Sequence, residues 1–367
     1  MKDRNGRYSR HYSLPDFGYA GQQKLLNSKV LIIGAGGLGC PVLQYLGSAG
    51  IGCIGIVDHD SISLSNLQRQ TLYDTQDVGK SKALVASEKI RNLNPEITVN
   101  TYHIEFNSKN SWDIISKYDI VVDCTDNFAA RYIINDACFL LNKPLVFGAV
   151  YRYEGQVAVF NCENENGEMM NYRDLFPEPP LPGEVQDCSE AGVLGVLPGI
   201  IGIMQATEVI KLISGIGKAL KGKLLTFDLL TNDTYMIDLA KREPGYIQQP
   251  ASRNEFEAFN YQWFCERISV DIEELNPEEF RERITGEFCV IVDVREIGEL
   301  PEADFAHINV PLSVFDEELD RFTAQNIVLF CQSDKRSLKA AEKLIRHFKN
   351  SKKISHLKGG ILSLEKE

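Results

Sequence analysis

The sequence of 367 residues predicts an α/β protein with a doubly wound, mostly parallel sheet and an added antiparallel part, followed by a smaller α/β domain. Three observations support this. Apolar runs typical of buried strands alternate with helical patterns over residues 30–149, and this order produces a parallel sheet. Strand patterns at 155–160 and 223–227 predict the antiparallel part. The length also exceeds the usual size of a single core.

Composition limits the partners and the compartment. The net charge of −12 disfavours nucleic acid and anionic membranes as partners. The apolar stretch 192–213 contains Gln205, Glu208 and Lys211, so it predicts a buried helix or a subunit interface and not a bilayer span. An odd count of nine cysteines without a secretory signal pattern predicts reduced thiols in the cytoplasm.

The first strand, residues 30–33, leads into a glycine turn, a helix over 41–49 and a second strand over 54–57 that ends at Asp58. This order predicts a Rossmann-like nucleotide-binding unit, because glycines let the backbone approach a phosphate and the helix N-terminus supplies N–H donors. Asp58 is placed to accept hydrogen bonds from ribose hydroxyls. Since the pattern alone allows NAD, an NAD-dependent oxidoreductase is an alternative. The turn has the pattern G-x-G-x-x-G with one additional glycine. Its glycines are Gly34, Gly36, Gly37 and Gly39.

The following elements keep the alternation of strands and helices. In such sheets ligands bind beyond the carboxyl ends of the strands. Asp58, Asp126 and the glycine turn all lie at such ends, so we expect them to share one site. The pattern predicts a polar loop at 60–70, helices at 81–93 and 131–141, and strands at 97–102, 119–124 and 144–149.

A long loop and a change in composition mark the end of the first domain. The loop at 162–190 contains four prolines and Cys188, and loops of this length are usually functional or disordered. Residues 244–267 are polar and aromatic with little periodicity, which predicts a linker. We therefore place a nucleotide-binding domain at 1–243, the linker at 244–267 and a second domain at 268–367.

Five features of the first domain together resemble the MoeB/ThiF family, the bacterial relatives of ubiquitin-activating enzymes. They are Arg10 within RYSRH, the GAGGLG turn, Asp58 followed by SLSNLQRQ, Lys82, and DCTDN ending at Asn127. The resemblance covers about residues 7–240. It implies a homodimer that uses ATP and Mg²⁺ to adenylate the Gly-Gly C-terminus of a ubiquitin-like sulfur carrier.

The resemblance also implies a role for each polar site residue. Negative charge grows on the departing pyrophosphate, so cations are needed there. Taken alone, Lys82 would be a solvated helix lysine and Asp126 a helix N-cap. By resemblance, the roles are ribose binding for Asp58, phosphate binding for Asn66, Arg69 and Lys82, Mg²⁺ binding for Asp126, and contact with the other subunit's nucleotide for Arg10.

Two points about cysteine concern the family. Many members hold zinc with two C-x-x-C pairs, but the corresponding segments here, 171–174 and about 244–249, contain no cysteine. We therefore expect no zinc, and we expect packing or hydrogen bonds around Asn171 and Asp174 to replace its cross-link. Cys188 matches a loop cysteine that accepts an acyl group or sulfur in some members and is dispensable in others, so a chemical role and an inert thiol are both open.

The second domain resembles a rhodanese domain. Cys331 follows a strand and precedes a helix, where loop N–H groups and the helix dipole favour a thiolate or persulfide. Asp334 stands where the family has glycine, which brings a carboxylate near the sulfur and strains the turn. An active sulfurtransferase and a binding-only fold are both open. The matching segments are 293–296, His307, the loop from Cys331 to Arg336, and 359–361, with Ala306 as a second departure.

The two resemblances combine into one prediction: a cytoplasmic, homodimeric adenylyltransferase fused to a sulfurtransferase. A persulfide, on Cys331 or from another donor, would attack the acyl-adenylate and lead to a carrier thiocarboxylate for thiamin or molybdopterin. Arg69, Lys82 and Asp126 suit a triphosphate with Mg²⁺ and argue against a nicotinamide. A non-catalytic binding scaffold is the other alternative, and the retention of Arg69 and Asp126 argues against it.

Overall fold

The computed structural model describes residues 4–180, 192–242, 249–265, 272–285, 289–348 and 351–364. It divides into two compact units, Met1–Cys265 and Glu266–Glu367.

One sheet of eight strands forms the centre of the first unit. Its strands are β1 (Lys29–Ile33), β2 (Cys53–Val57), β3 (Thr98–Tyr102), β4 (Ile120–Asp123), β5 (Leu145–Tyr151), β6 (Glu154–Phe160), β7 (Lys223–Asp228) and β8 (Thr234–Asp238). The order is β3-β2-β1-β4-β5-β6-β7-β8, with parallel pairing up to β5 and antiparallel pairing from β5 to β8. The predicted mixed sheet is thus confirmed, and β8 is an exposed edge strand that the sequence analysis missed.

Helices cover both faces of this sheet. Val30 and Ile32 of β1 join the hydrophobic core on one face, and Leu31 and Ile33 join the core on the other, as the period of a strand requires. This double cover explains why the strands read as continuous apolar runs. The described helices of the unit are α1 (Arg4–Arg7), α2 (Ser9–Tyr12), α3 (Gly18–Asn27), α4 (Gly39–Ala49), α5 (Lys82–Leu93), α6 (Ser108–Ile115), α7 (Phe128–Leu140), α8 (Tyr172–Leu175), α9 (Val196–Ser214), α10 (Arg253–Ala258) and α11 (Tyr261–Cys265).

Helix α9 is the apolar stretch whose length and composition would also suit a membrane span. It packs against α4, β5 and β6. Its buried polar groups have partners: Gln205 Nε2 donates to the Asp123 carbonyl oxygen at 2.7 Å, and Glu208 Oε2 accepts from Leu220 N at 2.8 Å. The helix therefore packs within the first unit, and a subunit interface on its exposed residues stays a prediction.

Residues 249–265 correct the predicted linker. Phe256, Tyr261 and Phe264 are buried in the core shared with α6 and α7, so α10 and α11 belong to the first unit. The two helices contain six and five residues, which is too short for a helical period to be visible in the sequence.

The second unit is built on a parallel sheet of five strands. Its strands are β9 (Glu273–Leu275), β10 (Val290–Asp293), β11 (Ile308–Asn309), β12 (Asn326–Phe330) and β13 (Lys353–Leu357), in the order β11-β10-β12-β13-β9. Helices α12 (Pro277–Ile284) and α13 (Lys335–Phe348) accompany them. The strands predicted near 289–292 and 327–330 and the helix near 337–348 are present. Strands β9, β11 and β13 and helix α12 were not predicted.

A buried ion pair lies where the first cysteine pair of zinc-binding relatives would fall. Arg173 and Asp136 are both fully buried, with an Nη2 to Oδ2 distance of 2.7 Å. Asp136 also accepts hydrogen bonds from Gln249 Nε2 at 3.3 Å and Tyr261 OH at 2.8 Å.

Asp174 adds a second polar link in the same region. Its Oδ2 accepts from Asn171 N at 2.8 Å and its Oδ1 accepts from Arg242 N at 3.1 Å. Together with the Asp136 contacts, this confirms the expected hydrogen bonds around Asn171 and Asp174 and joins 171–174 to the chain at 242 and 249. The expectation that the protein contains no zinc stays a prediction.

Replacement of Asp136 by alanine is expected to destabilise the first unit by ~3–5 kcal/mol, because the guanidinium of Arg173 would remain buried without a counter-charge. Urea unfolding followed by circular dichroism measures this. The double variant Asp136→Leu with Arg173→Met should recover much of the loss. Treatment of the wild-type protein with EDTA should leave the midpoint unchanged. A wild-type midpoint in the Asp136→Ala variant would contradict the assigned role of the pair.

Candidate functional site

A cavity of about 530 Å³ opens at the carboxyl ends of β1, β2 and β4 in the first unit. Its volume lies in the usual range for small-molecule sites. The cavity brings together most of the residues singled out in the sequence, which lie up to 92 positions apart along the chain. Those that line it are Gly34, Gly36, Gly37, Asp58, Asn66, Arg69, Lys82 and Asp126.

The glycine turn forms the floor of the cavity. Gly34 has a φ of +96°, and a Cβ there would lie 2.6 Å from the Cys124 carbonyl oxygen. A Cβ on Gly39 would lie 2.0 Å from the Gly34 oxygen, so Gly39 serves the packing of the turn and does not line the cavity. At Gly36 a Cβ would meet only Gln70 Nε2, at an ordinary 3.6 Å. The fold therefore does not require glycine at 36, and its absence of a side chain leaves room for a ligand such as a phosphate.

Asp58 connects this floor to the loop after β2. Its Oδ2 accepts from Ala35 N and its Oδ1 accepts from Asp60 N, each at 2.8 Å. Burial raises the pKa of Asp58, although the Ala35 hydrogen bond opposes this. A carboxylate oxygen has more than one lone pair, so these bonds leave it capable of accepting a ribose hydroxyl.

Lys82 is buried and forms an ion pair with Asp60, with 2.8 Å between Nζ and Oδ2. It is therefore not the solvated helix lysine that its position alone would suggest. Burial raises the pKa of Asp60, but the hydrogen bond and the charge of Lys82, together with the charge of His59, outweigh burial and the net direction is down. Asp60 is a residue of the site that was not predicted from the sequence. The sequence pattern that could have indicated a role for Asp60 is the pair of acids, Asp58 and Asp60, directly after a strand.

Asn66 and Arg69 lie in the loop that follows. Asn66 Oδ1 accepts from Ser63 N at 3.2 Å, and Arg69 Nη1 donates to the Ser65 carbonyl oxygen at 3.1 Å. Contacts with the local backbone therefore hold both side chains at the cavity. Within the described residues, neither side chain forms an ion pair or hydrogen bond with an acidic side chain that would compete with a phosphate.

Asp126 lies at the cavity just before α7, and its side chain is exposed. The N-cap of α7 is Asn127, whose Oδ1 accepts from Ala130 N at 2.8 Å, so the alternative of a capping role for Asp126 is wrong. No hydrogen bond or ion pair to the Asp126 carboxylate is found within the described ranges. Mg²⁺ in nucleotide sites is commonly held by one or two carboxylates with water and phosphates. Asp126 fits that requirement.

Arg10 and Cys188 are the remaining site residues predicted for the first domain. Arg10 is exposed on α2 and does not line the cavity of its own chain. Its expected contact with the nucleotide of another subunit stays a prediction. Cys188 lies outside the described residues.

The second unit places Cys331 between β12 and α13, as predicted. The side chain is 1% exposed, and Sγ lies 3.5 Å from Ser337 Oγ. Asp334 has a φ of +82°, which confirms the strain expected for a non-glycine residue in this turn.

Arg336 does not point freely at the sulfur loop but pairs with Glu299. The distances are 2.5 Å from Nη1 to Oε1 and 2.6 Å from Nη2 to Oε2. The Arg336 hydrogen bonds lower the pKa of Glu299 to about 2. Gln332 Nε2 also donates to the Leu300 carbonyl oxygen at 3.0 Å, so the segment around Glu299 is fastened to the sulfur loop twice. Sequence reasoning missed Glu299, because 37 residues separate it from its partner.

Replacement of Glu299 by glutamine is expected to raise the kcat/KM for thiosulfate several-fold, because Arg336 loses its carboxylate partner and becomes available to an anionic donor. A thiosulfate:cyanide sulfurtransferase assay on the full chain measures this. Glu302→Gln is a control on the same segment. Equal kcat/KM values for wild type and Glu299→Gln would show that the ion pair does not limit anionic donors.

Residues 8–247 match the ThiF family, a range that contains all the cavity residues described above. The chain belongs to the ThiF family. This confirms the MoeB/ThiF resemblance of the first domain. The protein is also 40% identical to the probable adenylyltransferase/sulfurtransferase MoeZ of Mycobacterium tuberculosis, across 98% of this chain and 93% of MoeZ. That alignment therefore extends through the second unit.

Two further relatives of this ThiF-family chain bear on the first unit. The sulfur carrier protein adenylyltransferase of Thermus thermophilus is 47% identical, and the match covers 72% of this chain and 97% of that protein. A crystal structure of E. coli MccB with ATP is similar in fold, with a TM-score of 0.53 and 25% identity over 66% of this chain and 73% of that one.

Proposed function

We propose that the first unit adenylates the C-terminal glycine of a ubiquitin-like sulfur carrier, and that the rhodanese-like second unit supplies sulfur to the product. The observation that carries the proposal is the single cavity that holds the glycine turn, Arg69, Lys82 and the Asp126 carboxylate. The names of the Thermus and Mycobacterium relatives support the two activities.

ATP is the nucleotide that this cavity suits. The carrier carboxylate attacks the α-phosphorus, an acyl-adenylate forms, and pyrophosphate leaves. Arg69 and Lys82 hold the phosphates and balance the charge that develops on pyrophosphate. Lys82 then exchanges its contact with Asp60 for a phosphate oxygen. Mg²⁺, when held by Asp126, would add positive charge at the phosphates. The crystal structure of MccB with ATP supports this use of the fold.

Sulfur transfer begins with a persulfide on Cys331. Its terminal sulfur attacks the acyl carbon and AMP leaves, which produces an acyl disulfide. A second thiol then cleaves that disulfide and releases the carrier thiocarboxylate. Because Cys331 is almost inaccessible, the loop that holds it must change conformation to admit the donor and the carrier.

Assembly and pathway complete the proposal. The protein acts as a cytoplasmic homodimer in which Arg10 of one subunit reaches the nucleotide of the other, and its exposure on α2 supports this. The thiocarboxylate serves thiamin or molybdopterin synthesis. Sedimentation equilibrium, together with exchange activity in mixtures of Arg10→Ala and Asp126→Ala chains, tests the shared site. Partial recovery of activity on mixing is expected.

The proposed adenylation is tested by exchange of radiolabelled pyrophosphate into ATP by the full chain, with Mg²⁺ and a purified carrier that ends in Gly-Gly. Exchange should depend on the carrier and disappear when its last glycine is deleted. Exchange that proceeds equally well without the carrier, or inhibition of exchange by NAD in competition with ATP, would overturn the assignment.

A further inference from the structure

A segment beyond the family match forms part of the nucleotide cavity. Phe259, Asn260 and Tyr261 line the same cavity as Asp58 and Lys82, yet they follow the end of the ThiF match at residue 247. The segment therefore adds a wall to the site that the family-wide motifs do not contain.

The wall is firmly held by the core of the first unit. Tyr261 OH donates to the buried carboxylate of Asp136 at 2.8 Å, and Phe264 is fully buried. The ring of Phe259 lies 4.7 Å from that of Tyr261 and 5.4 Å from that of Phe264, measured between centroids. Phe259 itself is only partly buried, so part of its ring faces the cavity.

The groups that line the cavity from one face of the sheet differ chemically from those that line it from the other face. Lys82 begins α5, which packs on one face together with α4. Phe106 and Phe259 pack against the core on the opposite face. Lys82 and the two aromatic side chains therefore approach a bound nucleotide from different sides.

We propose that Phe259 binds the nucleobase of ATP, a role that rests on the proposed adenylation. The triphosphate takes the side with Arg69 and Lys82, and the base takes the aromatic side with Phe106 and Phe259. Base–aromatic stacking makes a substantial contribution wherever a base meets a ring in this way. ATP affinity thus depends on a segment that follows the ThiF-type sequence and directly precedes the second unit.

The test compares Phe259→Ala, Phe259→Leu and Phe259→Trp in the full chain by pyrophosphate exchange with varied ATP. The alanine variant should raise the KM for ATP roughly ten-fold with little change in kcat, leucine should lie between, and tryptophan should restore wild-type KM. Arg253→Ala is the matched control, because Arg253 lies in the same segment but forms exposed ion pairs with Asp113 and Glu257 away from the cavity.

Inorganic tripolyphosphate, which has no base, separates stacking from a general loss of structure. Its inhibition constant should be the same for wild type and Phe259→Ala. An unchanged KM for ATP in that variant would overturn the inference while wild-type exchange still supports adenylation. A parallel loss of ATP and tripolyphosphate binding in both the alanine and leucine variants would also overturn it, since that would indicate a purely structural role. Absence of exchange in the wild type would instead refute the proposed function.

Discussion

Replacement of Asp126 by alanine is expected to abolish carrier-dependent ATP–pyrophosphate exchange while the protein remains folded. Asp126 presents an exposed carboxylate to the cavity, and Asn127 caps the helix, so loss of the acid removes the proposed Mg²⁺ ligand without removing the cap. Loss of such an electrostatic contribution typically reduces rates by about 10²–10³-fold. The initial rate of exchange and the thermal unfolding midpoint measure the two effects.

Asn127→Ala is the neighbouring control. It removes the hydrogen bond to Ala130 N and should destabilise the unit by ~1 kcal/mol, with exchange retained at a temperature where the variant is folded. Full exchange activity in Asp126→Ala would exclude Asp126 from the metal site and weaken the assignment of the whole cavity.

Replacement of Cys331 by alanine is expected to remove sulfur transfer and leave adenylation intact. Cys331 lies between β12 and α13, the strand-to-helix position that the rhodanese resemblance assigns to the sulfur-carrying cysteine, whereas the adenylating cavity belongs to the first unit. Conversion of the carrier to its thiocarboxylate with a persulfide donor should stop. Mass spectrometry of the carrier measures sulfur transfer, and pyrophosphate exchange measures adenylation.

Two other cysteine variants serve as comparisons for Cys331→Ala. Cys289→Ala changes a thiol of the same unit whose pKa is raised by burial, and it should leave both activities unchanged. Cys188→Ala should leave adenylation intact and reduce thiocarboxylate formation only partly. A Cys331→Ala variant that still forms thiocarboxylate at the normal rate would show that the second unit is not the sulfur relay.

The strands and helices around the nucleotide cavity could be predicted because their signals are local. An apolar run, a glycine turn and an acid identify β1, α4 and β2 within thirty-one residues, from Val30 to Asp60. The antiparallel strands β6 and β7 are also visible as apolar runs. Strand β8 was not predicted, because its apolar run is only three residues long, Tyr235 to Ile237, and the strand is an exposed edge strand outside the core.

The features that sequence reasoning missed depend on contacts between distant parts of the chain. The ion pair between Glu299 and Arg336 could not be predicted, because the two residues come together only in the folded chain. The pairing of Asp60 with Lys82 likewise requires the loop after β2 to meet the start of α5. Residues 253–265 were assigned to a linker because their helices are short, and only the burial of Phe256 and Phe264 shows that they belong to the first unit.

We propose that one chain activates a carrier carboxylate and then delivers sulfur to it. Intact mass spectrometry of a carrier ending in Gly-Gly, after incubation with the full chain, ATP, Mg²⁺, a persulfide donor and a thiol, tests this most directly. We expect the carrier mass to increase by the exchange of one oxygen for one sulfur, and to stay unchanged when ATP is omitted. A carrier that is unmodified in the complete reaction, or modified without ATP, would contradict it.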